Sequence, residues 1–316
     1  MYRDRQIAAL VPCYNEALNI ESVIETMPDF VDYIIVVNDG STDETASVVN
    51  LYLEGECADK ERVTFIDRAE NKGLGYTLIE AHKYALTTDA DVMVVMAGDG
   101  QMLPKYLPTL LDVLIDGAYD FVKGNRFFNS DSFKGMPKYR VFGNVVLTFM
   151  TKLATGYWSI FDPQNGYTAI ARDMSLQVDW DEVAQDYSFE NCLLAQLWLH
   201  RARIKDVNIP AHYGNETSTI SLAKTVPHLL KTLRKAFRRR VWRLYVLQSF
   251  SPVIIFGLGG MFFLTFGVLF GAWSMWLVWG VAPVSPAKAV FCAISIMTGI
   301  MMLLAAMVLD ILNEPK

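Results

Sequence analysis

Four short segments of this 316-residue chain concentrate the side chains best suited to chemistry. They are Pro12-Cys13-Tyr14-Asn15-Glu16, Asn38-Asp39-Gly40-Ser41-Thr42-Asp43, Asn71-Lys72-Gly73-Leu74-Gly75 and Gly98-Asp99-Gly100-Gln101. Taken singly, each is turn or helix-cap chemistry, since Asn, Asp, Gly and Ser favour tight turns and helix N-termini. Their placement says more. Each follows a short apolar run, at 7–11, 33–37, 63–66 and 92–96, and so brings carboxylates, amides and glycines to a strand end.

The apolar runs alternate with helical patterns. Helices are expected over 17–27, from a Ser/Thr cap near 41–44, over 75–86 and over 106–116, with a fifth strand opening at 121–122 and a later helix at 189–200. Strand and helix in alternation predict an α/β fold: a mostly parallel, Rossmann-like sheet with helices on both faces. Ligands of such sheets gather beyond the carboxyl ends of the strands, where the four polar segments fall. No GxGxxG follows the first strand, which argues against a dinucleotide-dependent oxidoreductase.

Charge divides the chain. Residues 1–216 carry net −14, whereas residues 217–309 carry net +9 and no acidic residue. There is no ionisable side chain from 249 to 287, and a second uncharged run covers 289–309. About 20 apolar residues cross the hydrocarbon of a bilayer, so two spans are expected, separated by the helix-breaking Pro283-Val284-Ser285-Pro286. Trp273, Trp276 and Trp279 suit an interfacial aromatic belt. Before the first span, Lys224, Lys231, Arg234, Lys235, Arg238, Arg239, Arg240 and Arg243 alternate with apolar residues at helical spacing. This is an amphipathic helix suited to a headgroup layer, each cation near an anionic surface contributing about 1 kcal/mol. Its place against a span favours membrane over nucleic acid. By the positive-inside rule its side is cytoplasmic. The expected organisation is a cytoplasmic catalytic domain at 1–221, a juxtamembrane helix at 222–247, a two-helix hairpin at 248–312 and a short tail at 313–316. The spacing of Gly267 and Gly271 suits helix pairing, and with it homo-oligomerisation through the spans. Cys13, Cys57, Cys192 and Cys292 are too widely spaced for a zinc knuckle or disulfide framework, consistent with a reducing cytosolic face. The N-terminus lacks the apolar core of a secretory signal.

With Gly124-Asn125-Arg126-Phe127 and Asp162-Pro163-Gln164-Asn165-Gly166-Tyr167 added, the ordered set of motifs over residues 5–221 resembles family 2 glycosyltransferases of the GT-A fold. Within them it is most similar to the polyprenyl-phosphate enzymes of the dolichyl-phosphate mannose synthase type. That resemblance implies a nucleotide-diphosphate sugar donor of the GDP-mannose or UDP-glucose type, a polyprenyl phosphate acceptor and a divalent metal, Mg2+ or Mn2+. It assigns Asp99, with Gln101 beside it, to the metal. Pro12, Tyr14, Glu16, Asp39, Lys72, Gly73, Gly98 and Asp99 go to the nucleotide. Asp162, Gln164, Asn165 and Glu190 go to the sugar pocket, and Arg126 and Arg140 to the acceptor phosphate. Two departures stand out. The family often has Asp-x-Asp where this chain reads Ala97-Gly98-Asp99, and its Arg-x-x-Gly-x-Ser-Lys segment corresponds here to 213–219, without the arginine or the lysine.

A lipid phosphate has a second pKa of about 6 and is already a nucleophile near neutral pH, so the first reading needs cations rather than a base. Two alternatives stay open. Transfer to a lipid or polysaccharide hydroxyl would require a general base; none of the four histidines (His82, His200, His212, His228) adjoins the motifs, but Asp186 is a candidate. The other alternative is a non-catalytic membrane scaffold that binds nucleotides.

Overall fold

The computed structural model describes residues 1–55, 60–127, 138–210, 222–277 and 283–315; the side chains of 138–141 and 222–226 are outside that description. Two compact units emerge, residues 1–237 with the C-terminal 315–316, and residues 238–314.

The first unit is built on a seven-stranded sheet of order β3-β2-β1-β4-β6-β5-β7. Its strands are β1 (Ile7–Cys13), β2 (Tyr33–Asn38), β3 (Val63–Asp67), β4 (Val92–Val95), β5 (Phe121–Asn125), β6 (Thr168–Ala171) and β7 (Ile204–Asn208). All neighbours are parallel except β6, which runs antiparallel to both β4 and β5. Every residue of β1 is buried, as both-face coverage demands of a central parallel strand, and this is why it reads as an unbroken apolar run. Helices α1 (Ile20–Glu25), α2 (Thr45–Glu54), α3 (Leu74–Ala85) and α4 (Leu107–Asp116) follow the first four strands. In α4, Leu107, Leu110, Leu111 and Leu114 recur at helical spacing and are all buried. Then come α5 (Lys138–Thr155), α6 (Arg172–Ser175), α7 (Phe189–Leu199) and α8 (Leu222–Arg240).

One topological consequence governs the site. Because β6 is antiparallel between β4 and β5, the chain entering β6 arrives at the edge where β4 and β5 end. Segment 162–167 is thereby set between the Asp99 turn and Arg126.

Helix α8 packs Leu229 and Leu233 against Ala154 of α5, with Leu147 and Met150 alongside. The division between the two compact units falls inside α8, at 237/238. Of the basic side chains expected at a membrane surface, Lys231, Arg234, Lys235, Arg238 and Arg243 are exposed and Arg239 is half-buried. Arg240 departs from it. It is 2% exposed and pairs with Asp310 through Nη1 (2.6 Å) and Nη2 (3.2 Å), while the Tyr245 hydroxyl donates to the same carboxylate. Asp310 supplies the physical reason: an acid at the end of an apolar helix is stable out of water only beside a cation.

Within the second unit an eight-residue π-helix, Val241–Gln248, leads into α9 (Pro252–Leu277) and α10 (Pro286–Leu312). Both long helices are long and apolar enough to cross a membrane. Ser285 caps α10, as the helix-breaking Pro283–Pro286 expectation allows; Trp279 is outside the described residues. Small residues make the α9–α10 contact. A Cβ on Gly267 would lie 2.7 Å from Ile296, one on Gly271 2.8 Å from Cys292 Sγ, and one on Gly299 2.5 Å from the Leu264 nitrogen. The glycine spacing expected to support homo-oligomerisation is therefore taken up inside the hairpin, and no feature of the described residues supports a homo-oligomer.

His82 of α3 is completely buried, stacked 4.4 Å from Trp180, and neither ring nitrogen has a hydrogen-bond partner among the described residues. Burial pushes its pKa down to about 3. Between that value and the ordinary 6.5 the unfolded chain takes a proton that the folded chain refuses, so stability present above pH 6.5 is lost as pH falls, by up to about 1.4 kcal/mol per unit. In His82→Phe, the thermal midpoint should fall less between pH 7 and pH 5 than in the wild type. Equal falls, followed by circular dichroism, would remove His82 from the acid response.

Candidate active site at the strand-end edge

The ends of β1, β2 and β4 are knitted together by main chain. The Asp39 N–H donates to the Cys13 carbonyl (2.9 Å) and the Gly98 N–H to the Pro12 carbonyl (3.0 Å). Gly98 is needed for this approach, since a Cβ there would lie 2.8 Å from the Cys13 Cβ. Side chains then stitch the first loop to the second. Ser41 Oγ accepts the Asn15 N–H (2.9 Å), Asn15 Oδ1 accepts the Thr42 N–H (2.8 Å), Thr45 Oγ1 accepts the Glu16 N–H (2.8 Å) and Asp43 accepts the Ala17 N–H (3.1 Å). Pro12, Tyr14, Glu16, Asp39 and Gly98 are thus brought to one edge. Tyr14 is exposed and Glu16 half-buried, its carboxylate accepting from Asn19 Nδ2 (3.0 Å).

Asp39 is only 4% exposed and already employed. Its two oxygens accept the N–H groups of Lys72 and Gly73, each at 2.8 Å, and Arg68 stands 3.2 Å away. The carboxylate therefore clamps the β3–α3 loop against β2. Arg68 escaped the sequence analysis, although a cation directly after β3 and across from Asp39 was the available signal. Its guanidinium also donates to Thr77 Oγ1 (3.0 Å) and lies 4.5 Å from the Tyr76 ring, over which Lys72 Nζ also sits at 4.8 Å. Gly73 has φ 92°, a left-handed conformation that favours glycine, while its nearest outside neighbour is an ordinary 3.5 Å away. Close approach is the constraint two residues on: a Cβ on Gly75 would lie 2.5 Å from the Gln185 carbonyl carbon.

Asp99 occupies a turn completed by Gly100 at φ 71°, and its carboxylate accepts the Gln101 N–H (2.9 Å). Burial raises its pKa, and no cation acts on it among the described residues. Those residues hold no cluster of three or more His, Cys, Asp or Glu side chains. A desolvated carboxylate without a counter-charge fits a divalent ion held by one or two protein oxygens and, for the rest, by substrate phosphates.

Across the edge, Arg126 grips Asp162 through Nε (2.8 Å) and Nη2 (3.2 Å), and its own N–H donates to the same carboxylate (3.2 Å). Asp162 is fully buried, whereas the Arg126 side chain keeps about a third of its surface exposed. Gln164 Nε2 donates to Asn191 Oδ1 (3.1 Å). Asn165 turns inward: its Nδ2 donates to the Gly124 carbonyl (2.8 Å) and its Oδ1 accepts the Tyr167 N–H (3.0 Å), which suits a loop anchor better than a sugar contact. Glu190, from α7, borders a small cavity with Lys123, and burial raises its pKa against the opposing pull of Lys123 and Arg126. Arg140 stands in the first turn of α5 with its side chain outside the described residues, as is the whole of 213–219. Asp186 is committed on both oxygens, accepting the Ser188 N–H (2.8 Å) and pairing with His228 Nε2 (2.6 Å), so α8 brings to the motifs a histidine that the sequence places far away.

Residues 8–178 match the profile of glycosyl transferase family 2. The chain belongs to that family. A UDP-N-acetylglucosamine–dolichyl-phosphate N-acetylglucosaminyltransferase from Methanococcus voltae is 30% identical over 216 residues, 66% of this chain and 85% of that protein. A dolichol-phosphate mannosyltransferase from Pyrococcus furiosus is 24% identical over 277 residues, 86% of this chain and 72% of that one. Among solved structures, glucosyl-3-phosphoglycerate synthase from Mycobacterium tuberculosis in complex with UDP superposes with a TM-score of 0.57 at 21% identity, covering 74% of this chain and 81% of that one. The same enzyme has been crystallised with Mn2+ and UDP-glucose. This family 2 glycosyltransferase therefore has the GT-A fold expected of it.

Asp39→Ala should destabilise the protein by about 3 kcal/mol, because Arg68 and two loop N–H groups lose a buried anion, whereas Glu16→Gln should stay within about 0.5 kcal/mol. Denaturant titration of both variants tests this, and equal values would remove Asp39 as the loop clamp.

Proposed function

We propose that this family 2 glycosyltransferase is a membrane-anchored inverting enzyme that moves a hexose from a nucleoside-diphosphate sugar to a polyprenyl phosphate on the cytoplasmic side. The observation that carries the reading is the Arg126–Asp162 pair at the sheet edge that also bears Asp99. Arginine stays charged at any working pH and can bind two phosphate oxygens, so it holds an anion without protonating it. A buried carboxylate that grips the guanidinium through two nitrogens fixes the direction in which that charge points. The names of the two archaeal relatives, both transferases to dolichyl phosphate, support the acceptor; their different sugars leave the donor to a panel of GDP-mannose, UDP-glucose and UDP-N-acetylglucosamine.

In the proposed reaction a lipid phosphate oxygen attacks the anomeric carbon, the bond from that carbon to the diphosphate oxygen breaks, and the nucleoside diphosphate leaves with the electron pair. Configuration inverts and no proton moves. Asp99, with Gln101, is the group to hold a Mg2+ or Mn2+ ion, which would neutralise charge on the departing diphosphate. The loops clamped by Asp39 shape the nucleotide end, and Glu190 with Gln164 the sugar end. On α5, Phe142, Val145, Val146 and Phe149 form an exposed apolar stripe, on a helix whose other side packs on basic α8. That pairing of apolar and cationic surface suits a bilayer from which a lipid headgroup enters.

Transfer to a hydroxyl is the second reading, favoured by one observation, the half-exposed Asp186–His228 pair, which could serve as a base. It predicts an acid-stable glycoside and loss of activity in His228→Ala; the first reading predicts an acid-labile sugar-phosphate lipid and retained activity. Asp99→Ala should lower transfer at least about 100-fold with the circular dichroism unchanged. Arg126→Ala should raise KM for lipid phosphate at least about tenfold while donor KM changes less than twofold. Full activity in either variant, assayed in liposomes with each donor, excludes that residue.

A further inference from the structure

Lysine is among the residues least often buried, yet Lys123 lies in the middle of β5 with 1% of its surface exposed. Its Nζ donates to the Asn165 carbonyl. The neighbouring strand holds an opposite charge in the same register, since Lys123 is paired with Asp206 of β7. Asp206 takes hold of the other end of the same loop, its Oδ2 accepting the Phe161 N–H at 2.5 Å. Segment 161–165 is thus anchored at its start by a carboxyl group from β7 and at its end by a lysine from β5. Between the two anchors stands Asp162, the residue that grips Arg126.

We propose that Lys123, with Asp206 as its cross-strand partner, is a positioning residue for the acceptor-side arginine: it holds the 161–165 loop in the one placement that lets Asp162 aim Arg126. The inference rests on the reading of Arg126 as the acceptor-phosphate residue. Lys123 itself does not reach substrate, being enclosed by Phe121, Thr168, Leu193 and Leu194 around a cavity of about 10 Å3, room for one water at most. The same enclosure argues against a nucleophilic lysine. Electrostatics agree with the placement. Burial lowers the pKa of Lys123, against the opposing pull of Glu190, Asp162 and Asp206 from α7, the loop and β7. Without Lys123 the loop carbonyl would lose its donor.

A double-mutant cycle with Arg126 tests the proposal, because a residue that acts only through Arg126 has nothing left to position once Arg126 is gone. With Arg126 intact, Lys123→Met should lower kcat/KM for polyprenyl phosphate by about 10- to 100-fold, the scale of a 1 Å misplacement, with donor KM changed less than twofold. In the Arg126→Ala background the same substitution should change kcat/KM less than about twofold. Asn165→Ala loosens the same loop from the Gly124 side without stranding a buried charge, and should give the same pattern if Lys123→Met does not fold. Equal losses in both backgrounds, or a loss expressed in donor KM, overturn the positioning role. An Arg126→Ala variant whose lipid kinetics match the wild type overturns instead the acceptor reading on which it stands.

Discussion

A charge withdrawn from water is tolerated in a protein only when an opposite charge or a set of hydrogen bonds accompanies it, and removing one member of such a pair costs about 3–5 kcal/mol. The architecture here follows from how this chain meets that condition. Asp39 is held by Arg68 and two loop N–H groups, Asp162 by Arg126, Lys123 by the Asn165 carbonyl, and Arg240 by Asp310. Each arrangement joins segments far apart in sequence. The first three turn strand-end loops, which by themselves would be the least constrained parts of the sheet, into parts with one available geometry.

The consequence for the site is a division of labour along one edge. On the β1–β2–β3 side, carboxylates and hydroxyls are occupied with main-chain N–H groups, so that side presents shaped backbone. On the β4–β6–β5 side the Asp99 carboxylate has no counter-cation among the described residues, and the Arg126 guanidinium is oriented but partly exposed. An enzyme that must bring two phosphate-bearing substrates together needs both: a rigid shell, and a few charges available to the ligands. The antiparallel β6 makes the second half possible, since it delivers the Asp162 loop to the edge at which β4 and β5 finish.

Much of this was legible in the residues. β1, β2, β4 and β5 are buried on both faces or nearly so, β3 at the sheet edge is half-buried, and the apolar runs of all five stand out between polar turns. β6 and β7 were not recognised for opposite reasons. Thr168–Ala171 is only four residues long and follows a turn-rich segment, while Ile204–Asn208 sets Lys205 and Asp206 side by side between its two apolar residues and resembles solvated chain. Lys123 is hidden for the same reason, since lysine in a strand is usually on a water-facing side. Arg240 is indistinguishable in sequence from its basic neighbours because its partner lies 70 residues further on.

Composition and order alone determined the alternation of strands and helices, the two apolar runs, the basic stripe before them, and the set of acids and glycines after successive strands, because these are local properties of period, length and charge. Tertiary structure alone decided which charges are committed to the fold and which are left for a ligand. It turned Asn165 inward, buried Arg240 against Asp310, and placed Asp162 beneath Arg126. Pairing energies depend on distance and burial, and only the folded chain fixes those.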